Sequence, residues 1–172
     1  LKTFHAFGAF GTTVVTAVTA QNTQGVTAVH PIPLEMVGAQ FDALLNDLPP
    51  QAAKTGMLAT AELVSLVASR IRGHAPGHLV VDPVMVSTSG HRLLEEKAEA
   101  TIRSGLLPLA ALVTPNIPEA EILPGNRIED TGGLVKAARA LVDAGAGAAL
   151  VKGGHLDGGR LVDIFWDGRL ER

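Results

Sequence analysis

The chain has 172 residues, 47% of them hydrophobic and 18% charged, a balance that suits one globular domain with a sizeable core and excludes a disordered chain. A formal charge of −3 offers no basic footprint for nucleic acid, and the lack of cysteine excludes disulfides and thiolate chemistry within these residues. No uninterrupted apolar run approaches membrane-spanning length and no signal-peptide pattern is visible, so no membrane partner is expected, and the composition is compatible with a cytoplasmic enzyme.

Residues 1–8 read as the last turns of a helix stopped by Gly8, with no start signal before it. The β-branched run 12–19 predicts a strand buried on both faces. Leu34, Val37, Phe41, Leu44, Leu45 and Leu48 follow helical spacing, ended by Pro49-Pro50. Residues 51–53 form a weak strand candidate. Thr60 can cap a helix that carries Leu63, Val64, Val67 and Ile71 on one face. A short strand is expected at 78–81. A helix follows at 94–104, with Leu94, Ala98 and Ile102 inward, then a strand at 110–113. A short helix at 118–123 starts with Pro in its first turn. Thr131 is the expected cap of a helix with Leu134, Val135, Ala138, Leu141 and Val142. Residues 145–151 lead into the last parallel strand, and 160–166 form a final strand before an Asp167-Gly168 hairpin turn. This alternation predicts a mostly parallel sheet with helices on both faces. One domain spanning residues 1–172 is the reading. The missing initiator Met, the helix entered midway and the hairpin arm at 168–172 suggest an internal piece of a longer protein.

Apolar runs repeatedly stop at polar clusters: Gln21-Asn22-Thr23, Lys54-Thr55-Gly56-Met57, Asp82-Pro83-Val84-Met85, Thr114-Pro115-Asn116 and Lys152-Gly153-Gly154-His155. If the runs are parallel strands, the clusters share the rim where open α/β sheets bind ligands. Asp82 can orient Mg²⁺ through water, or serve as a turn or capping residue. Asn116 and Glu119 can cap a helix and complement its dipole, or stand at a metal–phosphate site beside Asp82. Lys152, followed by glycines whose N–H groups can approach a phosphate, can stabilise a transferring phosphoryl group; the alternative is a surface Lys in a Gly-rich turn. Gln21, Asn22 and Thr23 suit a flat polar heterocycle. Met57 can pack against such a ring or fill the core. Lys54 pairs with a nearby carboxylate or faces solvent, and His155 is more consistent with a loop residue than a ligand contact. The phosphate loop Gly-x-x-x-x-Gly-Lys-Ser/Thr is absent, the dinucleotide spacing begun at Gly145 and Gly147 fails at Leu150, and the six histidines show no zinc spacing.

Together these motifs resemble the hydroxymethylpyrimidine/phosphomethylpyrimidine kinases of thiamine biosynthesis, within the ribokinase-like superfamily. The matching text runs from Leu1-Lys2-Thr3-Phe4 and Gly11-Thr12 through Thr19-Ala20-Gln21-Asn22-Thr23, Lys54-Thr55-Gly56-Met57 and Val81-Asp82-Pro83-Val84-Met85 to Thr114-Pro115-Asn116, Glu119-Ala120-Glu121 and Lys152-Gly153-Gly154-His155. The resemblance implies a three-layer αβα fold with a mostly parallel central sheet. It also implies ATP- and Mg²⁺-dependent phosphorylation of the thiamine pyrimidine and then of its monophosphate, by a homodimer. By position, Gln21 would bond the aminopyrimidine and Met57 line its pocket. Asp82 and Glu119 would hold the Mg²⁺ environment with Asn116 in support, and Lys152 would contact ATP phosphates. The family's N-terminal Gly-rich segment and its later Gly-rich anion hole, with the residue that activates the substrate hydroxyl, have no counterpart here. Lys152 is therefore the only catalytic candidate, through phosphate stabilisation. Pyridoxal kinase activity, or a catalytically incomplete pyrimidine-binding fragment, is the alternative; an assembly module is a further one, resting on the apolar residues Ile164, Phe165 and Trp166.

Overall fold

The computed structural model describes residues 1–74, 76–85, 94–154 and 161–169, which divide into two units, Leu1–Pro50 and Gln51–Arg172. In the first unit, α1 (Lys2–Ala6) ends at Gly8, whose φ of 72° is the left-handed geometry expected of a helix-stopping glycine. The run 12–19 departs from its reading as a buried strand. Residues 12–16 lie outside any strand; Thr16 O accepts from Ile32 N at 3.0 Å, and the side-chain amide of Gln40 serves Val15. It accepts from Val15 N at 2.8 Å and donates to Val15 O at 3.0 Å. Strand β1 (Ala17–Asn22) then pairs antiparallel with β2 (Gly25–Pro31) in a separate two-stranded sheet, and most of its residues are exposed. A bulge places Thr27 as the extra residue between the Ala20–Ala28 and Gln21–Val26 pairs. The helix expected from the apolar spacing is α2 (Leu34–Asp47), with Val37 fully buried.

The second unit carries a five-stranded sheet in strict sequence order. It consists of β3 (Ala52–Thr55), β4 (His78–Val81), β5 (Leu112–Val113), β6 (Ala149–Val151) and β7 (Ile164–Trp166). All neighbours pair in parallel except β6 and β7, which are antiparallel. Leu79, Val81, Val113, Ala149 and Val151 are buried. Full burial of a Val or Leu side chain contributes roughly 1.5–3 kcal/mol, so these short strands are held by apolar packing as much as by their ladders.

Helix α3 (Ala61–His74) begins where Thr60 Oγ1 accepts from Leu63 N at 3.2 Å, and it buries Leu63, Val64, Val67 and Ile71 as the spacing predicts. The helix expected at 94–104 is α4 (Glu96–Thr101) followed by a π-helical turn (Ile102–Leu106) and a 3₁₀ turn (Leu107–Leu109). Leu94, Ala98 and Ile102 are all buried, although Leu94 precedes the helix. Helix α5 spans Ile117–Ile122. Helix α6 (Thr131–Asp143) is capped by Asp130, not Thr131: Asp130 holds the extended N-cap backbone (φ −150°, ψ 179°) and its Oδ1 accepts from Gly133 N at 2.7 Å, while Thr131 is already the first helical residue. It packs on β6 and β7, where Arg139 lies 4.9 Å from the Trp166 ring centre. The strand expected at 110–113 shrinks to its last two residues, while the start of the one expected at 160–166 falls partly outside the described residues. No helix among the described residues is long and apolar enough to cross a membrane.

Candidate active site

The carboxyl ends of β3, β4, β5 and β6 lie in one parallel register, and each delivers a polar residue. Lys54 lies within the last turn of pleat of β3, Asp82 directly follows β4, Asn116 lies just beyond β5, and Lys152 directly follows β6. An isolated parallel bridge between Asn116 and Lys152, with Lys152 N donating to Pro115 O at 2.9 Å, extends the β5–β6 contact to these two residues. The rim expected from the sequence is therefore present in this unit.

Asp82 is the hub. Its side chain is 23% exposed, with Lys54 Nζ 2.9 Å from Oδ2 and Lys152 Nζ 3.5 Å from Oδ1. The Lys54 contact resolves the choice between a carboxylate partner and solvent. Glu119, only 3% exposed, sits one turn into α5. Its Oε2 accepts from Asn116 N at 2.9 Å, while Asn116 Oδ1 accepts from Glu119 N at 3.0 Å, completing a capping box. Oε1 accepts from Met85 N at 3.3 Å, so Glu119 also ties α5 to the chain after β4. Burial pushes the Glu119 carboxyl above its ordinary range, against the two backbone N–H groups and the Lys152 charge, which pull it down; the Asp82 charge adds to the rise.

The capping role of Asn116 and Glu119 is thus built, and it brings Glu119 into the electrostatic reach of both Asp82 and Lys152. Among the described residues no group of three or more His, Cys, Asp or Glu is assembled for a metal. Asp82, partly exposed, and Glu119, buried and already accepting two backbone N–H groups, are the two carboxylates placed near each other at these strand ends.

Two expectations change. Gly153 N donates to Asp163 Oδ1 at 3.0 Å, so this amide is engaged by a carboxylate of the chain. A side chain at Gly153 would run into the Val162 carbonyl and Leu134, so the glycine serves a close backbone crossing. The cluster Gln21-Asn22-Thr23 does not end a strand of the five-stranded sheet. Gln21 is exposed on β1 of the first unit, and Asn22 Oδ1 closes the hairpin by accepting from Gln24 N and Gly25 N. Met57 is half-buried beyond β3, and His155 lies outside the described residues.

The model of the family described as phosphomethylpyrimidine kinase matches residues 1–171. A hydroxymethylpyrimidine/phosphomethylpyrimidine kinase of Rhizobium meliloti (strain 1021) is 47% identical over 169 residues, covering 98% of this chain and 63% of that protein. The thiamine biosynthesis bifunctional protein ThiED of Geobacter sulfurreducens is 46% identical over 168 residues, covering 98% of this chain and 34% of that protein. Among solved structures, phosphomethylpyrimidine kinase from Clostridium difficile 630 superposes with a TM-score of 0.92 at 40% identity, covering 99% of this chain and 74% of that one. Pyridoxal kinase from Staphylococcus aureus, in complex with AMP-PCP and pyridoxal, gives 0.88 at 31% identity, covering 99% and 61%. The fold is that of the ribokinase-like kinases, with the three-layer αβα class expected from the sequence. The chain belongs to the phosphomethylpyrimidine kinase family. It spans less than two thirds of the length of the curated relatives named above, 63% and 34%.

Proposed function

We propose that the full-length protein uses ATP and Mg²⁺ to phosphorylate 4-amino-5-hydroxymethyl-2-methylpyrimidine and then its monophosphate, in the cytoplasm. The observation that carries this reading is the pairing of Lys152 with Asp82 from the ends of β6 and β4, across the intervening β5, beside the Asn116–Glu119 capping box. In the transfer, the substrate hydroxyl oxygen forms a bond to the γ-phosphorus while the bridging bond to ADP breaks, and the hydroxyl proton leaves. The proton passes to a general base or to water. Lys152 meets the phosphate oxygens, where a positioned cation offsets charge as it moves to the leaving group. Asp82 and Glu119 would hold Mg²⁺ through its waters, with Asn116 in support through the capping box that ties α5 to the β4 end. Mg²⁺, when bound, would neutralise phosphate charge. Gln21 offers the aminopyrimidine an amide that both donates and accepts, and Met57 offers a ring an adaptable apolar surface.

Phosphate transfer by the purified full-length protein, measured with hydroxymethylpyrimidine and pyridoxal side by side, tests the reading. Turnover of the pyrimidine, and about a hundredfold loss of kcat/KM in Lys152→Met, are expected. No transfer by a folded sample would overturn the kinase assignment; faster transfer to pyridoxal would overturn the substrate. We also propose a homodimer, supported by the large apolar side chains left exposed in the first unit, Phe7 and Phe10 at 86% and Val18 at 56%.

A further inference from the structure

We propose that Lys54 is a positioning residue of the phosphate site and acts through Asp82, occupying one carboxylate oxygen so that Lys152 is left for a nucleotide phosphate. This rests on the kinase reading, in which Lys152 meets ATP. Asp82 carries one negative charge and faces two ammonium groups, and the two contacts are unequal. Lys54 Nζ lies 2.9 Å from Oδ2 and also donates to Thr55 O at 3.1 Å, so it is fixed at two points. Lys152 Nζ lies at the longer 3.5 Å from Oδ1, with its side chain 42% exposed. Register explains the difference: Lys54 pairs with Val80 on the adjacent strand, two residues before Asp82, whereas Lys152 reaches over from beyond β5.

The other carboxylate nearby does not replace Asp82 in this arrangement, because both Glu119 oxygens already accept backbone N–H groups. Neutralising a carboxylate with one cation weakens its hold on a second. Without Lys54, Asp82 keeps Lys152 as its cation, and an incoming phosphate must break that pair first. Lys54 thus sets how readily Lys152 changes partner without itself touching the nucleotide.

The test is a double-mutant cycle on the full-length protein, read by calorimetry with ADP in the absence of divalent metal. Lys54→Met is expected to weaken ADP about tenfold, equivalent to 1.4 kcal/mol. Lys54→Arg, which keeps the ion pair, is expected to stay close to wild-type affinity. In an Asp82→Asn background, Lys54→Met is expected to change ADP affinity by less than about twofold, since the route through Asp82 is gone. Equal ADP affinity for the wild type and Lys54→Met would overturn the proposal. So would a tenfold loss that persists in the Asp82→Asn background, which would make Lys54 a direct phosphate contact. A wild type that binds no ADP would overturn the kinase reading on which this one rests, a result distinct from either. If Lys54→Met does not fold, Lys54→Gln takes its place in the same cycle.

Discussion

Thr55 ends β3 with its side chain turned into the interior, and its Oγ1 has no hydrogen-bond partner among the described residues. A buried hydroxyl left unpaired costs about 1–3 kcal/mol, so Thr55→Val is expected to raise the unfolding free energy by about 1 kcal/mol. Urea unfolding followed by the fluorescence of Trp166, the one tryptophan in the chain, measures this; a fall in stability would contradict it. Gly153 predicts the opposite sign. A methyl group there would meet the Val162 carbonyl and come within 2.9 Å of Leu134 Cδ1, and a backbone oxygen does not move aside cheaply. Gly153→Ala is expected to cost about 1–3 kcal/mol in the same assay. Gly153 was legible as a special position from the sequence, but the reason for it was not. The run Lys152-Gly153-Gly154 is as consistent with phosphate approach as with a chain crossing, and only the return of residues 162–163 distinguishes them.

The elements were most legible where their ends carry local chemistry. Pro49-Pro50, Thr60 and the Asn116-x-x-Glu119 pattern each act within a few residues, and each boundary falls where it was expected. Asn116→Ala removes a capping box and is expected to destabilise the protein by about 1 kcal/mol. Asp130→Ala, which removes a simpler cap from α6, is the matched control, and a smaller loss at Asn116 than at Asp130 would argue against a shared cap and site brace. The run 12–19 was misread because its β-branched residues do favour extended backbone, but periodicity cannot say what will satisfy that backbone. Here the partner is the Gln40 amide, 25 residues away from Val15. The Lys54–Asp82 pair escaped the sequence for a related reason. Its members are 28 residues apart, and their contact depends on β3 lying next to β4.

At the scale of the molecule, the α/β class and the parallel order followed from the strand–helix alternation, and the family from motifs spread along nearly the whole chain. The proposed homodimer is expected to give twice the mass of one chain when the full-length protein is measured by light scattering. Val18→Asp, which puts a charge on an exposed position of β1, is expected to shift that mass toward one chain. A wild-type protein that is already monomeric at micromolar concentration would remove the dimer from consideration.

The five-stranded sheet is ordered in space as it is in sequence, β3 to β7. Each strand therefore docks against the one made just before it, and none waits for a partner from the far end of this unit. Assembly can keep pace with synthesis on the ribosome, one strand and its connection at a time. The ion pair between Lys54 and Asp82 becomes possible as soon as β4 is in place, well before Lys152 has been translated. In order of synthesis, the partner of the shorter Asp82 contact precedes it in the chain and the partner of the longer one follows it.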